Sequence, residues 1–145
     1  MAAILLGWSD EGGDLQIGSD NRIVMGHPIV TELLTSLNID RAPDPGDPAP
    51  EGVERLGNWQ RSFDPDAIQG SKLWMLRYVR PIEKALALAP IWAKEATLWM
   101  VTTKRVVSIE HESDRIGFAA IRLTHTIQVD AKTRRKFLTE VPYVV

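Results

Sequence analysis

The sequence predicts an α+β fold: a single domain with two to four helices packed on a small antiparallel sheet, and a long C-terminal β-hairpin. Three observations lead there. Apolar residues recur every three or four positions from Ile82 to Met100, the spacing of a helical stripe. β-Branched and alternating segments fill the chain after residue 104. The first 25 residues break into short apolar pieces separated by turn formers. At 145 residues the chain is long enough for one domain and too short for two ordinary ones.

Short strands are expected over 1–25. Ile4, Leu5, Leu6 and Trp8 precede the turn formers Ser9-Asp10-Glu11-Gly12-Gly13. Asp14-Leu15-Gln16-Ile17 alternates polar and apolar, and Gly18-Ser19-Asp20-Asn21 turns the chain before Arg22-Ile23-Val24-Met25. A helix starts near Pro28, because proline at the first helical position loses no needed donor. Its face is Ile29, Leu33, Leu34 and Leu37, and it ends near Asn38.

Residues 40–56 read as a proline-rich loop, with Pro43, Pro45, Pro48 and Pro50 and little to bury. Its spaced acids lack the glycine and terminal glutamate of an EF-hand, so no metal is assigned there. The loop is solvated or contacts a partner. Order is expected to resume at Gly57, Trp59 and Phe63.

Helices are expected over 71–101. Ser71 is placed to cap the first, whose face is Leu73, Leu76 and Val79. Pro81 opens the second, with Glu83 favourably set against the helix dipole. Its stripe is Ile82, Ala85, Leu86, Ala89, Trp92, Ala93, Ala96, Trp99 and Met100. Pro90 inside it should kink or restart the helix. Leu73, Leu76, Leu86 and Ala96 are the expected core, with Trp74 and Trp99 mostly buried.

Strands are expected over 104–145. Residues 104–111 precede a turn at Glu112-Ser113-Asp114. Residues 115–130 then form one run, whose apolar phase flips between Ala120 and Ile121 and so marks a bulge or bend. Fully extended, that run would reach about 50 Å at 3.3 Å per residue, so it bends or projects from the domain. Phe137 to Val145 is strand-like and broken by Pro142, which suits an edge.

Composition excludes several functions. Hydrophobic residues are 44% and charged residues 25%, the balance of a globular chain. The apolar runs fall short of the roughly 20 residues that a membrane helix needs. The first ten residues show no positive n-region and no usable cleavage site, so no export signal is expected. No cysteine is present, which removes disulfides, thiolate metal sites and thiol nucleophiles, and suits a reducing cytoplasm. The net charge of −2 divides into −8 over residues 1–70 and +6 over residues 71–145. This balance does not suggest a nucleic-acid binder. The basic cluster Lys132, Arg134, Arg135 and Lys136 is a solvated turn or a contact for an acidic surface, such as the acidic half of a neighbouring copy.

No catalytic constellation emerges. There is no Gly-x-Ser-x-Gly elbow, and Gly70-Ser71-Lys72 lacks the glycine spacing of a phosphate loop. With a turn near Ser113, His111 would oppose residue 116 and His125 would oppose residue 102, too far apart to share a metal. Glu110 and Glu112 share a strand face and are the candidates for a small peptidoglycan-degrading hydrolase, with nothing to mark them as desolvated. Trp8 and Trp59 suit an interface.

Several segments are recognisable together. Gly70-Ser71-Lys72-Leu73-Trp74-Met75-Leu76 resembles a Gly-Ser-x-Leu-Trp-(Leu/Met)-Leu signature. It is flanked by Gly57-x-Trp59 upstream and by Ala96-x-x-Trp99 downstream. Ser36-Leu37-Asn38-Ile39-Asp40-Arg41-Ala42 resembles a Ser-Leu-Phe-Thr-Asp-Arg-Arg segment, and Gly13-Asp14-Leu15 an N-terminal Gly-Asp-Leu. Order and spacing over residues 13–101 resemble the Mu-type phage tail baseplate protein family, itself similar to the sheath-initiating wedge protein of T-even contractile tails. Asn58, Gln60-Arg61 and Asn38-Ile39 depart from its pattern.

The resemblance implies a structural, non-enzymatic wedge component of the virion tail baseplate, assembled in the host bacterial cytoplasm. Its partners would be larger wedge proteins, tail sheath subunits and tail tube or hub proteins, with about six copies per tail. No cofactor, nucleic acid or membrane is implied. The rival readings are the carboxylate hydrolase and a cytosolic adaptor unrelated to phage. Expected partner contacts are Asp40, Arg41, Trp59, Ile127, Val129, Phe137, Leu138 and Tyr143, with 115–130 and 137–145 offering strand edges to a sheath arm. Removal of residues 134–145 is expected to leave a folded protein.

Overall fold

The structure, a computed structural model, describes residues 3–4, 6–9, 12–15, 17–23, 25–52 and 70–143. It divides into two units, residues 1–35 and residues 36–145. In the first, β1 (Ala3–Ile4) pairs antiparallel with β4 (Met25–Gly26), and β2 (Leu6–Ser9) pairs antiparallel with β3 (Gly12–Leu15). Ile17 and Ile23 bridge around a turn in which Asn21 takes a positive φ of 58°. Helix α1 (Pro28–Asn38) starts at its proline and stops where the sequence indicates. Ile29, Leu33 and Leu37 on its apolar face are buried, while Leu34 is half-buried.

The second unit places helix α2 (Ile82–Thr102) against a three-stranded antiparallel sheet of order β5 (Ser108–Ile116), β6 (Ala120–Gln128), β7 (Arg134–Pro142). A short 3₁₀ helix, Leu73–Tyr78, precedes α2 and also touches β7. The stripe in α2 is dominated by small residues: Ala85, Ala89, Ala93 and Ala96 are buried beside Trp92 and Met100. Alanine lets the helix axis approach the sheet closely. On β6 the odd positions Ile121, Leu123, His125 and Ile127 are fully buried, because β6 is the central strand and its inner face meets the helices. Leu73, Leu76 and Ala96 are core as expected; Leu86, Trp74 and Trp99 are half-buried. Pro81 caps α2 from outside rather than standing within it, its carbonyl accepting from the amides of Lys84 and Ala85.

Pro90 does not restart the helix; α2 runs through it. The Leu86 carbonyl that loses its donor accepts instead from the Ser113 hydroxyl at 2.6 Å. Ser113 can reach it because β5 crosses this part of α2.

The strand expectations need correction. Glu112-Ser113-Asp114 is not a turn but lies within β5, and the run 115–130 holds the end of β5, a turn at 117–119 and the whole of β6. Gly117 turns the chain with a φ of +56°. The phase flip at Ala120 and Ile121 marks the start of the return strand, so nothing projects. The register pairs His111 with His125, and the expected separation of the two histidines is therefore wrong. β7 begins at Arg134, three residues before the expected start. The C-terminal segment also belongs to the fold: Tyr143 is 2% exposed and its hydroxyl donates to the Val79 carbonyl at 2.8 Å. Removal of 134–145 would uncover that core instead of leaving it intact.

Candidate functional site

Three of the segments singled out in the sequence, 36–42, 70–76 and 96–99, meet one another. Gly70 has a φ of +77°, and a Cβ there would run into the Ile39 carbonyl, so only glycine fits. Ser71 and Asp40 form a parallel bridge: the Ser71 amide donates to Ile39 at 2.7 Å and the Arg41 amide to Ser71 at 2.9 Å. The Ser71 hydroxyl donates to the Leu37 carbonyl at 2.5 Å and accepts from the Leu73 amide at 3.4 Å. Trp74 Nε1 donates to the Arg41 carbonyl at 2.9 Å, and Trp99 Nε1 to Ser36 Oγ at 2.8 Å. The Gly-Ser-x-Leu-Trp run thus clamps the 36–42 segment.

Lys72, within the clamp, holds the proline loop. Its ammonium lies 3.1 Å from Asp44, 3.2 Å from Asp47 and 3.4 Å from Glu95 of α2. Burial alone would lower its pKa, but the hydrogen bonds to Asp44 and Asp47 and the charge of Glu95 raise it above the ordinary lysine value. Arg41 joins the network through Asp44 at 3.0 Å and Glu95 at 3.6 Å. The described part of the expected loop is therefore tied to α2 rather than loose.

The inner face of the sheet carries a polar ladder. Thr97 Oγ1 donates to the Ala93 carbonyl at 2.9 Å, so its oxygen accepts from His111 Nε2–H at 2.9 Å. His111 Nδ1 then accepts from His125 Nδ1–H at 2.7 Å, and His125 Nε2 accepts from the Thr139 hydroxyl at 2.7 Å. Both imidazoles are neutral, with burial pushing His111 down to about 4 and His125 to about 3, helped by Lys94 beside His111 and by His111 beside His125. The ladder ties α2, β5, β6 and β7 together. Among the described residues no group of three or more His, Cys, Asp or Glu could hold a metal ion.

β5 and β7 are the two edge strands of this sheet, and β7 carries unused backbone groups on its open side. The Tyr143 amide donates to Ala119 and the Val129 amide to Thr133, continuing the β6–β7 register at both ends. Odd-numbered residues of β7 therefore bond β6, and the amides of Lys136, Leu138 and Glu140 face away from it. Pro142 is also even, so its missing N–H lies on the open side, where the ladder needs no donor. Among the described residues no further strand pairs there.

Of the expected contact residues, the structure brings few to this edge. Leu138 is 62% exposed on the outer face, and Phe137 is half-buried opposite His125. Ile127 and Tyr143 are interior, and β6 is paired on both sides, so Ile127 offers no edge. Val129 is spent in the turn after β6. Asp40 and Arg41 lie in the clamp, and Asp40 also lines a groove shared with Thr139 to Pro142 of β7; Trp59 lies outside the described residues, as do the side chain of Trp8 and the Gly57-x-Trp59 and Gly13-Asp14-Leu15 side chains. Sequence reasoning placed Lys136 in a basic cluster at a turn, whereas it stands in β7, and it missed Glu140; the edge position of both is signalled by their even spacing from Pro142. Glu110 and Glu112 stand on the solvent-exposed outer face, with Glu110 3.2 Å from Arg134.

A family model described as phage protein GP46 matches residues 29–136. The baseplate protein gp46 of Escherichia phage Mu is 30% identical over 118 residues, covering 80% of this chain and 79% of that protein. The Mu-like prophage FluMu protein gp46 of Haemophilus influenzae is 29% identical over 104 residues, covering 70% and 67%.

Proposed function

From a chain that belongs to the phage protein GP46 family, we propose a structural wedge component of a contractile tail baseplate, one that joins larger wedge proteins to the first sheath ring and starts sheath assembly. The observation that carries this reading is the open edge of β7, where three amides and their carbonyls await a strand. An extended arm of a sheath subunit added there would turn three strands into four. Backbone bonds would supply affinity without demanding particular side chains, which suits an assembly nucleus. The chain would sit in the virion tail in about six copies, near tube or hub proteins, after assembly in the host bacterial cytoplasm. No helix among the described residues is long and apolar enough to cross a membrane.

We read the chain as non-enzymatic. The two carboxylates singled out for hydrolysis lie open to solvent, where nothing excludes water. Purified protein is expected to leave peptidoglycan turbidity at the buffer rate. Turnover lost on Glu110→Gln or Glu112→Gln would favour the hydrolase. A cryo-EM map of the intact tail tests the assembly role: it should show a foreign strand about 4.8 Å from β7, and an uncovered β7 edge in the sheathed tail would contradict it.

A further inference from the structure

We propose that the strand added to β7 is anchored by one large apolar side chain, seated in a groove along the open edge, and by an acidic residue about five positions away that pairs with Lys136. This rests on the strand-addition reading above and adds the side-chain chemistry of the partner. The groove encloses about 160 Å³. Leu37, Asn38 and Asp40, at and just after the end of α1, and Leu73, Trp74 and Arg77 line it on one side, and four consecutive β7 residues, Thr139 to Pro142, line it on the other. Residues from both faces of β7 line it and none of β6 does, which sets it beside the strand's open edge rather than over a face. A strand bonded to the Leu138 and Glu140 amides points alternate side chains into this space.

The volume matches one ring or one branched aliphatic group, since a cavity of about 150 Å³ accepts benzene. Leu73, Trp74 and Val141 give the apolar wall that such a group needs. At its other end β7 is basic, with Arg134, Arg135 and Lys136 in sequence. Arg134 is engaged by Glu110 at 3.2 Å, and Lys136 is exposed on the outer face. Charge complementarity therefore calls for an acidic side chain on the partner strand near Lys136. Lys136 and Val141 are an odd number of residues apart, so the two anchors fall on opposite faces of one extended segment, about 17 Å apart.

The test is made in assembled tails, with p-benzoylphenylalanine placed singly at Arg77 or Lys136, both exposed. Melting curves of the purified variants check that each remains folded. Both positions are expected to cross-link to one extended segment of another tail protein. Mass spectrometry should map the Arg77 product to a Leu, Ile, Met or aromatic residue and the Lys136 product to within about two residues of an Asp or Glu. Alanine at the mapped apolar residue is expected to cut infectious particle yield at least tenfold. A Lys136 product with no Arg77 product, or an Arg77 product on a polar residue, would overturn the anchor while leaving strand addition standing. No product from either position would overturn both.

Discussion

The Ser113 hydroxyl donates at 2.6 Å to the Leu86 carbonyl, which is the acceptor that Pro90 deprives of its helical donor. A proline is tolerated deep inside α2 because a strand supplies the missing hydrogen bond. Ser113→Ala is expected to destabilise the protein by about 1–3 kcal/mol, the cost of a buried acceptor left unpaired. Pro90→Ala restores an amide at the right place, so the double variant should lose much less than Ser113→Ala alone. Urea midpoints of the two single variants and the double variant give the coupling. Additive effects would mean that Ser113 does not replace the lost donor.

The histidine ladder makes stability depend on pH. Both folded-state pKa values are depressed, to about 4 and about 3, so between the unfolded value near 6.5 and these values the unfolded chain binds more protons. Stability is therefore full above pH 6.5 and falls as pH drops. The loss should be roughly 2–4 kcal/mol between pH 7 and pH 5. Protonation puts two N–H groups face to face across the 2.7 Å contact. Urea unfolding at pH 7, 6 and 5 measures it, and a flat profile would contradict the neutral ladder.

Lys72 latches the proline loop. Lys72→Met leaves the carboxylates of Asp44, Asp47 and Glu95 facing one another across the vacated position. These partners are partly exposed, so the expected cost is about 1–3 kcal/mol rather than that of a fully buried pair. Amide exchange at Asp47 and Ala49, whose N–H groups are bonded within the loop, should speed up more than exchange in β6. Unchanged exchange there would show that the loop is held by something else.

Gly70→Ala tests the clamp. The positive φ and the Ile39 carbonyl both oppose a Cβ, so a loss above about 2 kcal/mol is expected, larger than an ordinary surface change. A loss under about 0.5 kcal/mol would mean that the clamp relaxes freely.

Helices were the legible part of this chain. Pro28 and the spacing of Ile29, Leu33 and Leu37 marked the start, face and approximate end of α1, and the alanine-rich stripe marked α2. β5 was obscured because its inner positions include His111 and Ser113 and its outer ones Glu110, Glu112 and Asp114, so polar residues occupy both faces. His111 and Ser113 are inside because tertiary partners, His125 and the Leu86 carbonyl, satisfy them. No local pattern reports such pairing. Gly117 was the available sign of the true turn. The open edge was half legible: Pro142 marked β7 as peripheral, but which amides face outward depends on the register with β6.

The central claim, a strand received on the open side of β7, is tested most directly by Leu138→Pro in phage particles. Leu138 is even-numbered and 62% exposed, so proline removes an outward amide and leaves the β6–β7 bonds in place. The purified variant should keep its fold within roughly 1 kcal/mol of wild type, whereas Thr139→Pro, facing β6, should lose more than about 3 kcal/mol. Electron microscopy of lysates would then count sheathed tails. The expected result for Leu138→Pro is a folded protein in baseplates that start no sheath; a normal number of sheathed tails from that folded variant would contradict strand addition at β7.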